Sequence, residues 1–270
     1  MAAPDAKQKF NSSAGLVVRR TPATEKLVLR NVTLRRPAKD GDGNLLPWEK
    51  LETLVEPFSL TVQKGERLVL TGERGCGKST LVKAIAGLPG ITAAGEILVP
   101  ANARILDVPQ KPYLPDVPMR GILTYPDKYP DPKGKSPTDE EMEDAMKLVG
   151  LGHYAHFIKD EKTTGAAYSR QFSLGEQQAI IFARILLYKP DVLFLDEVTA
   201  SLDKKSRMTL YQLLLDKLPD TTIVSIAHNE EVIPLHDRHA HIENKQMTVR
   251  PANEPLPPAA APSGPGLNPT

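Results

Sequence analysis

Apolar and polar residues alternate with period two at Phe58-Ser59-Leu60-Thr61-Val62, the mark of a strand with one buried face. A Gly65 turn follows, and then residues 66–71 (ERLVLT) read as a short apolar strand. Directly beyond a glycine-rich stretch, Leu81-Val82-Lys83-Ala84-Ile85-Ala86 has apolar side chains at helical spacing. Upstream, Leu27-Val28-Leu29 and Val32-Thr33-Leu34 suggest two edge strands, with a hairpin-like turn at 41–44. Residues 111–137 are crowded with proline and read as a long loop with short pieces of structure. Thr138 with Glu141 predicts a capping box, followed by Met142, Ala145, Met146 and Val149 on one helical face. A second helix is predicted over 176–188, and fully apolar strands over 192–195 and 222–227. Strands alternating with helices predict an α/β fold around a mostly parallel, covered sheet. An antiparallel β edge precedes it, and a helical subdomain at about 111–187 is inserted into it.

Composition changes this picture little. The 270 residues are 40% apolar and 25% charged, enough for a sizeable core. The formal net charge of +1 supplies no long-range field for nucleic acid or an anionic membrane, so no nucleic-acid partner is expected. Cys76 is the only cysteine, which forbids an intrachain disulfide and fits a reducing compartment. No apolar run is long enough to span a bilayer, and residues 1–20 lack the apolar stretch of a secretory signal. Residues 1–24 read as a flexible lead, 25–250 as one compact unit, and the proline-rich 251–270 as a disordered tail.

The chemistry concentrates between the strand at 66–71 and the helix after it. Gly72, Glu73, Arg74, Gly75, Cys76, Gly77, Lys78, Ser79 and Thr80 match the P-loop pattern. Its glycines let backbone N–H groups turn inward as a nest for phosphate, with a helix N-terminus behind them. Lys78 is then placed to bridge phosphates, and Ser79 to ligate Mg²⁺; Cys76 reads as packing. The strand at 192–195 ends in Asp196 and Glu197, the Walker B arrangement of a metal-holding carboxylate beside one that orients the attacking water. About twenty residues earlier, Ser173, Leu174, Gly175, Glu176 and Gln177 open a helix, whose hydroxyl and dipole form a second phosphate site.

Taken together, GERGCGKST, FSLGEQQ, LFLDE, Ser201-Leu202-Asp203 and the late His228 resemble the nucleotide-binding domain of ABC (ATP-binding cassette) proteins over about residues 25–250. The resemblance implies a P-loop NTPase fold of RecA-like type, with ATP and Mg²⁺ as ligands. It makes Gln110 the Q-loop residue and Ser173–Gln177 the signature that binds ATP in trans. Ser201, Leu202 and Asp203 match the D-loop, Ser79, Gln110 and Asp196 the metal site, and Glu197, His228 and Gln110 the catalytic set. It also implies a head-to-tail dimer, homo- or heteromeric, closing on ATP and energising a transmembrane partner docked at 110–125. That would hold the chain on the cytoplasmic face of a membrane. Residues 99–126, from Val99-Pro100 through Asp107-Val108-Pro109-Gln110 to Leu123-Thr124-Tyr125-Pro126, are similar to one branch, the peroxisomal fatty-acyl transporters and bacterial peptide and cobalamin importers.

The sequence departs from the pattern in three respects. It holds no membrane domain. Arg35-Arg36-Pro37 stands where many relatives carry an adenine-stacking aromatic, leaving an arginine, Trp48, Tyr113 or no side chain as the base's neighbour. Ala179 replaces the usual Arg after Gln177-Gln178. The docking residues expected from the resemblance are Pro112, Tyr113, Leu114, Val117 and Tyr125, with insert core as the alternative reading of them. The alternative function is a soluble ABC ATPase that moves no solute, although one cassette without heptads argues against it.

Overall fold

The computed structural model describes residues 15–254 apart from 39, 43, 45, 89–90, 128–135, 200 and 228–229. Two sheets form its β component. Strands β1 (Leu16–Thr21), β2 (Leu27–Arg35), β3 (Thr53–Val62) and β5 (Ala93–Pro100) make a four-stranded sheet in the order β1-β5-β2-β3. Strands β4 (Arg67–Gly72), β6 (Ile105–Val108), β7 (Val192–Asp196), β8 (Thr222–Ile226), β9 (Arg238–Glu243) and β10 (Gln246–Pro251) make a six-stranded sheet in the order β10-β9-β4-β8-β7-β6. Within it every pairing is parallel except β10 on β9.

The six-stranded sheet is the middle layer, and its period-two alternation sorts side chains into two cores. Val69, Leu193, Leu195 and Ile223 face one cluster with helices α2 (Met119–Thr124), α3 (Asp139–Leu148), α4 (Gly165–Gln171), α5 (Leu174–Tyr188) and α6 (Lys204–Lys217). Leu68, Leu70, Val192, Phe194, Val224 and Ile226 face the other, with α1 (Lys78–Ile85) and the four-stranded sheet. The inserted helices therefore share a core with α5 rather than forming a separate body.

Three expectations are corrected. Residues 16–21 are not part of a loose lead: they form β1, paired in parallel along β5, with Leu16 buried. The two predicted edge strands are one strand, β2, and it lies between β5 and β3. Its buried residues change phase from Leu27 and Leu29 to Val32 and Leu34 because a bulge, with Asn31 at φ 48, inserts one residue. Residues 251 and 252 do not belong to a disordered tail, since Pro251 closes β10 and the Ala252 N–H donates to Asp237 O. Residues 1–14 and 255–270 lie outside the described residues. The predicted turn after β2 is present, with Asp40 N–H donating to Asn44 O and Leu46 N–H to Ala38 O. Among the described residues no helix is long and apolar enough to cross a membrane.

Candidate active site

The glycine-rich loop leaves β4 at Gly72 and enters α1 at Lys78. Gly72 has φ +140, and a Cβ there would lie 2.4 Å from Ile242 O, so the loop departs against β9 in a way only glycine permits. Gly77 has φ +110 and caps α1 without a side-chain bond, leaving the first N–H groups of the helix directed at the loop. Lys78 is buried, its Nζ donating to Gly72 O and Glu73 O, each at 2.9 Å. The ammonium is thus already laid over the loop by the loop's own carbonyl oxygens. Cys76 Sγ lies 3.9 Å from that Nζ.

Three neighbouring strand ends meet this loop. Ser79 is hydrogen-bonded to the Asp196 carboxylate at the end of β7. Burial pushes the Asp196 carboxyl above its usual range; the Ser79 bond opposes this, and the Glu197 charge adds to it. Gln110, just past β6, donates from Nε2 to Glu197 Oε2 at 2.8 Å. Glu197 adopts a left-handed backbone, φ 51, with its N–H held by Ile226 O at 3.1 Å. Such a conformation costs a glutamate about 1 kcal/mol or more and is found where a side chain must be aimed. Asp107 on β6 also belongs here: burial raises its carboxyl, and the Asp196 charge raises it further. Nothing in its local pattern distinguished it; only the parallel pairing of β6 with β7 brings the two acids together.

The signature residues form a different cluster. Ser173 caps α5, accepting from Glu176 N–H, while Ser173 N–H donates to Glu176 Oε2 at 2.8 Å. The Ser173 hydroxyl donates to the same oxygen at 2.7 Å, and the Tyr154 hydroxyl to Glu176 Oε1 at 2.9 Å. These donors, Ser173 first, hold the Glu176 carboxyl below its usual range. Gln177 Nε2 donates to Phe172 O and Ser169 O. A Cβ at Gly175 would lie 3.4 Å from Leu202 Cδ2, so signature and D-loop touch. Asp203 caps α6 by accepting from Ser206 N–H at 3.0 Å. Ser173, Gly175, Glu176, Ser201, Leu202 and Asp203 line one cavity of about 830 Å³, which no residue of 72–80 lines. The structure thus brings Lys78, Ser79, Asp196, Glu197 and Gln110 together, and separately the signature with the D-loop. His228 lies outside the described residues.

Arg36 is the candidate base neighbour that reaches the loop: its Nη2 is 4.0 Å from where a Gly75 Cβ would stand, and its Nη1 pairs with Glu52 at 3.1 Å. Trp48 is covered by the Arg35 guanidinium, 4.4 Å from its ring centre. Tyr113 packs edge-on against Tyr125 at 5.4 Å. Both are exposed, as is Val117, whereas Leu114 is buried in the helical core and is removed from the expected docking set. Beneath the two tyrosines sits Arg184, which sequence reading passed over. It is buried on α5, donates to Ile122 O at 2.9 Å and Tyr113 O at 3.1 Å, and stands 5.2 Å from the Tyr125 ring centre. Burial lowers its pKa to about 10, which leaves it charged at neutral pH.

The ABC transporter family model matches residues 55–200. An ABC transporter ATP-binding protein of Haemophilus influenzae is 36% identical over 193 residues, covering 72% of this chain and 31% of that protein. The human lysosomal cobalamin transporter ABCD4 is 27% identical over 219 residues, covering 80% of this chain and 32% of that one. A solved bacterial Atm1-family ABC exporter with ATP bound superimposes with a TM-score of 0.66 at 20% identity, covering 88% of this chain and 40% of that one. The chain therefore spans about a third of the length of these two curated relatives.

Proposed function

The chain belongs to the ABC transporter family as an ATP-binding domain, and on that premise we propose that it binds and hydrolyses Mg-ATP to drive a membrane transporter through head-to-tail pairing of two such domains. The observation that carries this reading is the presence of two complementary half-sites on one chain. One half is the phosphate loop with Lys78, the Ser79–Asp196 pair and the Gln110–Glu197 pair. The other is the α5 end with the D-loop, around a cavity free of P-loop residues. Two copies related by a two-fold axis place each half opposite its complement.

In this mechanism the N–H groups of residues 73–80 and Lys78 hold the phosphates of ATP. The oxygen donors Ser79 and Asp196 suit a hard cation and stand in contact, and Gln110 is bonded to the neighbouring Glu197. When bound there, Mg²⁺ neutralises charge on the phosphate oxygens. Glu197, aimed by its backbone and by Gln110, orients and deprotonates the attacking water. His228 contacts the γ-phosphate, and Ser173–Gln177 close the site from the second domain. The nucleobase lies against Arg36.

A transmembrane partner docks over Tyr113, Val117 and Tyr125, holding the domain on the cytoplasmic face of a membrane. The ABCD4 match favours a transporter of that kind.

Light scattering of Glu197→Gln with and without Mg-ATP, alongside wild-type turnover, tests the proposal. An ATP-dependent dimer, with turnover lost in the variant, is the expected result. A variant that stays monomeric, beside a wild type whose specific activity does not rise with protein concentration, sinks the head-to-tail reading.

A further inference from the structure

The end of α5 carries a conflict of charge. The first four N–H groups of a helix have no intrahelical partner. Here Ser173 N–H is taken by the Glu176 carboxylate and Glu176 N–H by the Ser173 hydroxyl oxygen, so Leu174 and Gly175 N–H remain for a ligand. If a phosphate from a second domain is to arrive there, it meets the Glu176 carboxylate three residues in. An unrestrained carboxylate would turn towards those two N–H groups, drawn by the same helix dipole that attracts the phosphate.

The carboxylate is not unrestrained. Oε2 accepts from both Ser173 N–H and the Ser173 hydroxyl, and Oε1 accepts from the Tyr154 hydroxyl. Tyr154 comes from another element, the 3₁₀ segment Gly152–Lys159. It is fixed by ring contacts to Phe157 at 5.7 Å and Phe172 at 4.9 Å, and Phe157 and Phe172 each pack on Tyr168. We infer that Tyr154 is a positioning residue of the signature motif: its phenol holds the Glu176 carboxylate back from the two open N–H groups, so that a phosphate from the second domain can take them. This rests on the head-to-tail reading for its consequence, though not for the contact itself. As the phosphate docks, the Ser173 hydroxyl turns its proton from Glu176 Oε2 to a phosphate oxygen, and the Tyr154 bond keeps the carboxylate charge dispersed meanwhile.

Tyr154→Phe removes one oxygen and leaves the ring contacts. Two measurements test the inference. In the nucleotide-free protein, NMR titration of the Glu176 carboxyl is expected to show its midpoint moved upward by Tyr154→Phe, since the carboxylate loses a donor; an unmoved midpoint overturns the contact. In ATP-driven association, Tyr154→Phe is expected to raise the ATP concentration at half-effect about five- to tenfold, with kcat within about twofold. In a Glu176→Gln background, where no charge needs holding back, the same change is expected to shift it less than about twofold. An equal shift in both backgrounds, or none with Glu176 in place, overturns the positioning role. A wild type that does not associate with ATP would instead sink the head-to-tail reading, and the titration would still judge the contact.

Discussion

Side chains at the phosphate loop act through space that glycine leaves open. Gly72 and Gly75 both have positive φ, +140 and +83, yet their surroundings differ. A Gly72 methyl would collide with Ile242 O at 2.4 Å and Cys76 Sγ at 2.9 Å, while at Gly75 only the flexible Arg36 tip comes within 4.0 Å. Gly72→Ala must therefore part β4 from β9 as well as strain its own backbone, and should cost about 2–4 kcal/mol. Gly75→Ala carries the backbone term alone, about 1–2 kcal/mol. Denaturant midpoints of the two variants check this; equal losses would mean that the β9 contact does not matter. Glu197 makes the same point in reverse, since a glutamate keeps φ 51 where glycine would be easier, and the retained side chain is the one that receives Gln110.

Elements with a local signal were legible in the sequence, and elements set by distant partners were not. The Thr138 capping box predicted from Glu141 is present, with Glu141 N–H donating to Thr138 Oγ1 at 3.2 Å and Thr138 N–H to Glu141 Oε2 at 2.8 Å. Below it Met142, Ala145 and Met146 are buried as the spacing requires. Thr138→Ala should cost about 1 kcal/mol, read as a lower unfolding midpoint, and Thr138→Ser should restore most of it. No loss in the alanine variant would mean that the tertiary contacts of α3 fix its start unaided. By contrast, β1 was missed because six residues with two exposed arginines, Arg19 and Arg20, carry little amphipathic signal; their order comes from β5. Short α2 and α4 lie in proline- and glycine-bearing sequence, and only the helical core explains them. In the site, Ser79, Asp196 and Glu197 were readable from motif spacing, and Gln110 from the family resemblance. Asp107, Tyr154 and Arg184 were not, because each acts through a neighbour that the fold supplies from 22 to 89 residues away.

The two cores that make the molecule one body also bury groups whose ionisation ties its stability to pH. His236 follows the 3₁₀ segment Glu230–Leu235 and lies on the α6 side of β8. Its Nδ1–H donates to Val232 O at 2.9 Å, and Nε2 accepts from the Ser225 hydroxyl at 2.9 Å. Tyr211 on α6 packs edge-on at 5.9 Å, and the charges that act on the ring are Asp237 and Arg67. Burial lowers the His236 pKa from 6.5 to about 4 despite the opposing backbone bond. Below pH 6.5 the unfolded chain therefore takes up a proton that the folded chain refuses until about pH 4, and stability must fall as pH falls through that window. From pH 7 to pH 5 His236 alone contributes a loss of about 2 kcal/mol. Burial acts oppositely at Asp107 and Asp196, whose raised carboxyls are protonated more readily in the folded state, a gain that begins nearer the carboxylate range. Urea unfolding between pH 7 and 5 should thus show falling stability, and His236→Asn should flatten the slope while lowering stability at pH 7. An unchanged slope would assign the pH dependence elsewhere. A flattened one would mean that acid loosens the β8–α6 contact before it neutralises the carboxylates of the phosphate site.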